Sequence, residues 1–294
     1  MQSKYFKNEF LKSNGVLVFN ESDEYVSNFG KQWRDHTATQ IDSMNNFSIS
    51  LDLLENLIFN KIDSLRDKTV VELGSGAGRF TEYLVKEASE CVSVDLSQAI
   101  FFNVSKGSEN LTLIKSDFTA LDVDEEFDVV ICRGVLQHTP DPKKSILKLF
   151  EFAKDGGDIF FDIYTTPKMG MLSPKYLIWR PFFKTFIKYE VYEIFLRRHI
   201  KKLLKVKRVL QKILFNSKFL SDSIIPIYDY KGIMNINEEQ LESMAILDTL
   251  DGMYAFYDQP MTQKQVTKLV VDAGFNILKA GKDGTYYCRK NLHR

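Results

Sequence analysis

Glu72-Leu73-Gly74-Ser75-Gly76-Ala77-Gly78-Arg79 decides the fold of this chain. The apolar run Thr69-Val70-Val71 precedes it and reads as a buried parallel strand, and Phe80-Thr81-Glu82-Tyr83-Leu84 follows and reads as a helix start. A strand that turns through three alternating glycines into a helix lets a ligand lie against bare backbone. No Cβ blocks the approach, and amide hydrogens are expected to point outward. Such a turn takes a nucleotide-like cofactor, and the rest of the chain must say which one.

Outward from that turn, residues 47–164 alternate strand and helix patterns. Strands are expected over 69–73, 91–95, 111–115, 127–132 and 158–164. Helices are expected over 49–65, 80–88, 98–104 and 142–153, the last stopped by Gly156-Gly157. Nearly continuous apolar strands separated by helices mean a parallel sheet covered on both faces. The alternation breaks over 165–260, which is helical, aromatic and basic. It resumes with a helix over 262–273 and two strands, 275–280 and 284–289, joined across Lys282-Asp283-Gly284. The expected organisation is an N-terminal lid segment (1–48), an α/β core (49–164 and 261–294) and a helical basic insertion (165–260).

The chain of 294 residues is 44% hydrophobic and carries a formal charge of +0, so a chain-wide nucleic-acid footprint is absent. Cys91, Cys132 and Cys288 are odd in number and far apart, which argues against a disulfide framework or a zinc site and for a reducing compartment. The stretch Met1-Gln2-Ser3-Lys4-Tyr5-Phe6-Lys7 has no apolar signal-peptide core, and no apolar run approaches the roughly 20 residues of a membrane span. A cytoplasmic protein is expected, with peripheral attachment to the inner face of the membrane as an option. No His/Asp/Glu cluster has ligand spacing, so no metal is expected.

A dinucleotide-binding turn would read G-x-G-x-x-G. Here the pattern is Gly74-x-Gly76-x-Gly78 followed by Arg79, with Glu72 inside the strand end. Strand two ends in Val94-Asp95-Leu96-Ser97, strand three is followed by Lys115-Ser116-Asp117-Phe118, and strand four runs into Arg133-Gly134-Val135-Leu136-Gln137-His138. With these residues the chain resembles the class I S-adenosylmethionine-dependent methyltransferases. The resemblance implies a Rossmann-like α/β fold with a mostly parallel seven-stranded sheet and an antiparallel last strand. It also implies S-adenosylmethionine as cofactor and S-adenosylhomocysteine as product. Glu72, Gly74, Gly76 and Gly78 would shape the cofactor loop, Asp95 and Leu96 would meet the ribose, Asp117 and Phe118 the adenine, and Arg133 the methionine carboxylate.

Methyl transfer is an in-line displacement, and a hydroxyl acceptor needs a base. His138, just past strand four, is the candidate; His36 beside Asp35 is a weaker rival. The stretch 29–42 resembles the segment before the domain in a bacterial small-molecule and glycan-type subgroup and is expected to form a lid, with Gln32, Trp33 and Arg34 facing the site. Asp251, Tyr254 and Tyr257 are expected to contact the acceptor.

Residues 175–218 hold thirteen Lys or Arg against two Glu. From Glu193 onward, Leu196, Ile200, Leu203, Val206, Leu210 and Ile213 recur at helical spacing among basic residues, a basic amphipathic helix. It suits packing on its own domain or an anionic partner: a membrane surface, a lipid-linked substrate or a carrier protein. Nucleic acid is disfavoured. The expected activity is methylation of a small-molecule or glycan acceptor, including lipid- or nucleotide-linked sugars, at oxygen. N- or C-methylation of a small metabolite, and a non-catalytic cofactor-binding module acting through its basic helix, stay open.

Overall fold

The structure, a computed structural model, describes residues 3–19, 41–45, 49–165, 173–232 and 237–291. Its strands are β1 (Leu11–Ser13), β2 (Val16–Val18), β3 (Thr69–Leu73), β4 (Glu90–Asp95), β5 (Leu111–Lys115), β6 (Phe127–Cys132), β7 (Ala153–Asp162), β8 (Asn276–Ala280) and β9 (Thr285–Arg289). The longer helices are α1 (Ile49–Ile58), α2 (Thr81–Glu87), α3 (Pro142–Phe152), α4 (Arg180–Phe186), α5 (Tyr189–Ile213), α6 (Lys218–Ile224), α7 (Glu238–Tyr254) and α8 (Gln263–Asp272). The chain divides into two units, 1–166 with 257–294, and 167–256.

In the first unit one sheet runs in the order β1-β2-β5-β4-β3-β6-β7-β9-β8. The strands from β3 to β7 pair in parallel, and β9 runs antiparallel to both of its neighbours. That is the expected seven-stranded core, from β5 to β8, with its antiparallel last strand. Side chains alternate across it with period two. Val71, Leu73, Val130 and Cys132 enter the core under α3 and α8, whereas Val70, Val129 and Ile131 enter the core under α1 and α2. The glycine turn therefore opens at the centre of the sheet, where the strand order reverses around β3.

Two expectations are corrected. The described part of the N-terminal lid segment extends the sheet to nine strands, because Asn14 and Gly15 both take positive φ (47° and 79°) and close a tight β1–β2 hairpin. β2 then pairs in parallel with β5, and Tyr5, Phe6 and Phe10 join the main core. Gly156-Gly157 do not stop α3. The helix passes directly into β7 at Ala153, and the two glycines lie within β7, where the register against β6 shifts.

The second unit is helical, with a core of Phe183, Tyr192, Leu196, Ile200, Leu204, Ala245, Leu250 and Met253. Arg180 donates from Nη1 to the Gly252 carbonyl and from Nη2 to the Ala255 carbonyl, both at 2.7 Å, so a cation closes the C-terminal end of α7. The buried stripe of α5 is Tyr192, Leu196, Ile200, Leu204 and Lys207, rather than the row ending in Val206, Leu210 and Ile213. Lys207, 3% exposed, is held there by Asp222 at 2.5 Å and by the Ile227 carbonyl. Among the described residues, no helix is long and apolar enough to cross a membrane.

Phe6 is 1% exposed and packs against Phe127 and Phe152, so Phe6→Ala should lower the unfolding free energy by about 3–5 kcal/mol in urea titration. A loss below about 1 kcal/mol would mean that the N-terminal hairpin docks without belonging to the core.

Candidate functional site

The site grows from the ends of four adjacent strands, β5, β4, β3 and β6. After β3, Gly74, Gly76 and Gly78 all take positive φ (86°, 55° and 95°). A Cβ on Gly74 would fall 2.0 Å from Val135 Cγ2 in the loop after β6, and one on Gly78 would fall 2.5 Å from Asn103 Oδ1. Here glycine is required both by conformation and by close approach. The amides do not point outward as expected. Gly74 N–H donates to the Val94 carbonyl (2.7 Å), Gly76 N–H to Asp95 Oδ2 (2.7 Å) and Gly78 N–H to the Ser75 carbonyl (2.9 Å). The turn needs those bonds to hold its shape, and what it presents is a Cβ-free surface.

Asp95, at the end of β4, braces this turn. Oδ2 takes the Gly76 N–H, while Oδ1 takes the Ser97 N–H (2.8 Å) and hydroxyl (2.6 Å). Burial raises its pKa above the ordinary aspartate value, and the bonds from Ser97 and Gly76 oppose that rise. Leu96 beside it is half-buried.

Glu72 lies beneath the turn, 2% exposed. Its Oε2 accepts from the Thr81 hydroxyl (2.5 Å) and the Ser93 hydroxyl (3.0 Å), and Asn103 Nδ2 donates to Thr81 Oγ1 (3.2 Å). This buried network ties the glycine turn, the start of α2 and β4 together. Burial pushes the Glu72 pKa up to about 7 against those two hydroxyl bonds, with the Asp95 charge adding to the rise. The sequence reading missed Thr81, Ser93 and Asn103, since a lone hydroxyl or amide in an apolar run carries no periodic signal.

Beyond β5, Asp117 caps the short helical turn Phe118–Ala120, its Oδ1 accepting from Thr119 N–H (2.9 Å) and Oγ1 (2.7 Å). Phe118 is corrected: its side chain is buried in the main core with Ile114 and Leu121, so it is not a ring platform at the surface.

Beyond β6, Arg133 Nη1 lies 3.6 Å from Asp162 Oδ2 at the end of β7, and Gly134 N–H donates to Asp162 Oδ1 (2.6 Å). Burial raises the Asp162 pKa, and the Arg133 charge works against that. Asp162 was not anticipated, although an acid at a strand's C-terminal end is the signal that singled out Asp95. His138 is 7% exposed, and its Nδ1–H donates to the Tyr257 carbonyl at 2.9 Å. That bond fixes the tautomer and leaves the lone pair of the neutral ring on Nε2. Gln259 holds the same returning segment, its N–H on the Gln137 carbonyl (2.9 Å) and its Nε2 on the Thr139 carbonyl (2.9 Å). Tyr257 thus reaches the site region through its backbone.

Tyr254 and Asp251 belong to α7 in the helical unit. Tyr254 is corrected from acceptor contact to core: it is 8% exposed, and its hydroxyl donates to the Ile187 carbonyl (3.0 Å). Asp251 is half-buried near Tyr230 in that unit. Gln32, Trp33, Arg34 and His36 lie outside the described residues. The end of their segment is anchored: Asp42 accepts from Ser50 N–H (2.7 Å), the Ser50 hydroxyl (2.9 Å) and the Tyr83 hydroxyl (2.9 Å). Among the described residues, no group of three or more His, Cys, Asp or Glu could hold a metal ion.

The fit to a cofactor with a nucleoside and a charged amino-acid end rests on unsatisfied groups. Glu72 Oε1, Ser75 Oγ, Arg133 Nη1 and both polar atoms of Gln137 are buried without a hydrogen-bond partner, and all lie at the ends of β3 and β6. Buried polar atoms are rarely left so in a working state. An anionic group would satisfy Arg133 Nη1, and a polar ligand atom over the glycine turn would satisfy Ser75 Oγ.

Residues 71–161 match a family model described as a methyltransferase domain. The curated relatives include ubiquinone biosynthesis O-methyltransferases. That of Methylococcus capsulatus is 33% identical over 104 residues, 33% of this chain and 44% of the relative. That of Pseudoalteromonas translucida is 31% identical over 121 residues, 38% of this chain and 51% of the relative. The chain thus spans about half the length of the curated relatives it matches. Among solved structures, the magnesium protoporphyrin IX methyltransferase of Synechocystis PCC 6803 with bound S-adenosylhomocysteine covers 89% of this chain and 86% of its own, at 14% identity and a TM-score of 0.43.

Because the folded Glu72 pKa is raised above 4.5, its contribution to stability is full below about 4.5 and is lost as pH rises through about 7. Glu72→Gln should therefore gain on wild type between pH 4.5 and 7.5, by on the order of 3 kcal/mol of unfolding free energy. A difference that stays flat with pH in denaturant titrations would contradict the raised pKa.

Proposed function

We propose methyl transfer to an oxygen of a small molecule as the function of this chain, which belongs, through residues 71–161, to the class I S-adenosylmethionine-dependent methyltransferases. The observation that carries the oxygen assignment is His138, whose Nδ1–H is committed to the Tyr257 carbonyl. With Nδ1–H committed in this way, Nε2 is the ring atom that would accept a proton from an alcohol or phenol nucleophile. The O-methyltransferase names of the curated relatives support the same reading.

S-Adenosylmethionine supplies a methyl group on a sulfonium, so the protein needs to align the acceptor, exclude water and remove one proton. Asp95 Oδ1 accepts twice from Ser97, while among the described residues Oδ2 accepts one bond, from Gly76, which leaves it a lone pair for a ribose hydroxyl. Asp117 would take the adenine amino group, and Arg133 would hold the carboxylate of the amino-acid end. The glycine turn admits the nucleoside against its backbone. Glu72, with its hydroxyl partners, positions the turn from below. Tyr257 and its neighbours, tied to the loop after β6 by His138 and Gln259, would border the acceptor. Within this reading, free and lipid-linked sugars are the first acceptors to test and phenols the second.

The test is a methyl-transfer assay on hydroxylated acceptors with wild type and His138→Gln. The variant should lose about 10²–10⁴ in kcat while its affinity for S-adenosylhomocysteine is unchanged. Equal kcat values in the two proteins would contradict an oxygen acceptor served by His138.

A further inference from the structure

Helix α5 has three faces, and only one of them is used by the helical unit's own core. Tyr192, Leu196, Ile200, Leu204 and Lys207 turn inward. On a helix of 3.6 residues per turn, Val191, Phe195, Val206, Val209 and Ile213 share a second side, and they are 45–68% exposed. Phe186, just before the helix, is 74% exposed, and Phe215, just after it, is 96% exposed.

The basic residues form a third row, and they divide by partner. Arg197 pairs with Glu193 (2.9 Å), Lys201 with Glu242 (3.6 Å) and Arg208 with Asp229 (2.7 Å), so the edge nearer the core is neutralised within the unit. Arg198, Lys202, Lys205 and Lys212 are exposed and, among the described residues, in no ion pair. By helical spacing these four cations border the exposed apolar row or fall within it. Large apolar side chains and unneutralised cations therefore share one outward surface.

We propose that this surface docks on an anionic lipid bilayer, with the four cations among the headgroups and the Val, Ile and Phe side chains at the acyl boundary. Charge complementarity selects that occupant. With thirteen Lys or Arg against two Glu over residues 175–218, the same face of a second copy would bring like charge to like charge. A nucleic acid would satisfy the cations but offers no medium for a row of valines and phenylalanines. An anionic bilayer offers both in one interface. The inference does not depend on the methyl-transfer reading.

Co-sedimentation of the full chain with vesicles tests it. Binding is expected to vesicles of phosphatidylglycerol mixed with phosphatidylcholine, to weaken at high salt, and to be much lower with phosphatidylcholine alone. Replacing Arg198, Lys202, Lys205 and Lys212 together by Gln should reduce partitioning by on the order of 100-fold or more. Phe195→Ser with Val209→Ser leaves the charge unchanged and should reduce it at least ~10-fold, with circular dichroism confirming the fold. The proposal is overturned if folded wild type ignores anionic vesicles, or if the serine variant binds as wild type does. It is equally overturned if the serine substitutions instead abolish concentration-dependent self-association, which would give the face to a second copy.

Discussion

One carboxylate holds the centre of the first unit together. Asp95 receives the Gly76 amide on one oxygen and Ser97 on the other, so the turn after β3 and the turn after β4 form one piece. Without that brace, three alternating positive-φ glycines would have many conformations to choose from, and ordering them carries an entropic penalty. The three glycine amides of the turn are internal: they fix its shape. Among the described residues Asp95 Oδ2 accepts a single hydrogen bond, from Gly76.

From this centre, consequences spread in two directions. Below the turn, the buried set of Glu72, Thr81, Ser93 and Asn103 exchanges hydroxyl and amide bonds in a space that excludes water, where such bonds are strong and unpaired atoms costly. Above it, the 2.0 Å from a Gly74 Cβ to Val135 shows how tightly the loop after β6 rests on the glycine turn. That loop carries Arg133 and His138, so the groups assigned to the amino-acid end and to proton removal are positioned by packing against glycine.

Much of this was legible in the sequence. The apolar runs of β3 to β7 have the continuity of strands buried on both faces, and the acids at the ends of β3, β4 and β5 stand where the polypeptide leaves the sheet. The N-terminal hairpin carries its own signal, Asn14-Gly15 between short apolar runs, but each strand is only three residues long and does not stand out from the segment around it. Gly156-Gly157 misled because glycine pairs end helices more often than they bend strands. Phe118 and Tyr254 misled for another reason: an aromatic next to a polar site residue reads the same whether it faces a ligand or the core, and only tertiary packing decides. In α5 the apolar residues outnumber what one face can hold. Periodicity therefore allowed two stripes, and Lys207 on the buried one could not be foreseen without its partner Asp222.

The most direct test is calorimetric titration of the purified chain with S-adenosylhomocysteine, for wild type and for Asp95→Ala, with thermal unfolding followed in parallel. Micromolar binding by wild type, and its loss in an Asp95→Ala protein that still unfolds cooperatively, is the predicted result. A folded wild type that does not bind S-adenosylhomocysteine, or an Asp95→Ala variant that binds it as tightly as wild type, would contradict the assignment of the Asp95-braced glycine turn as the cofactor site.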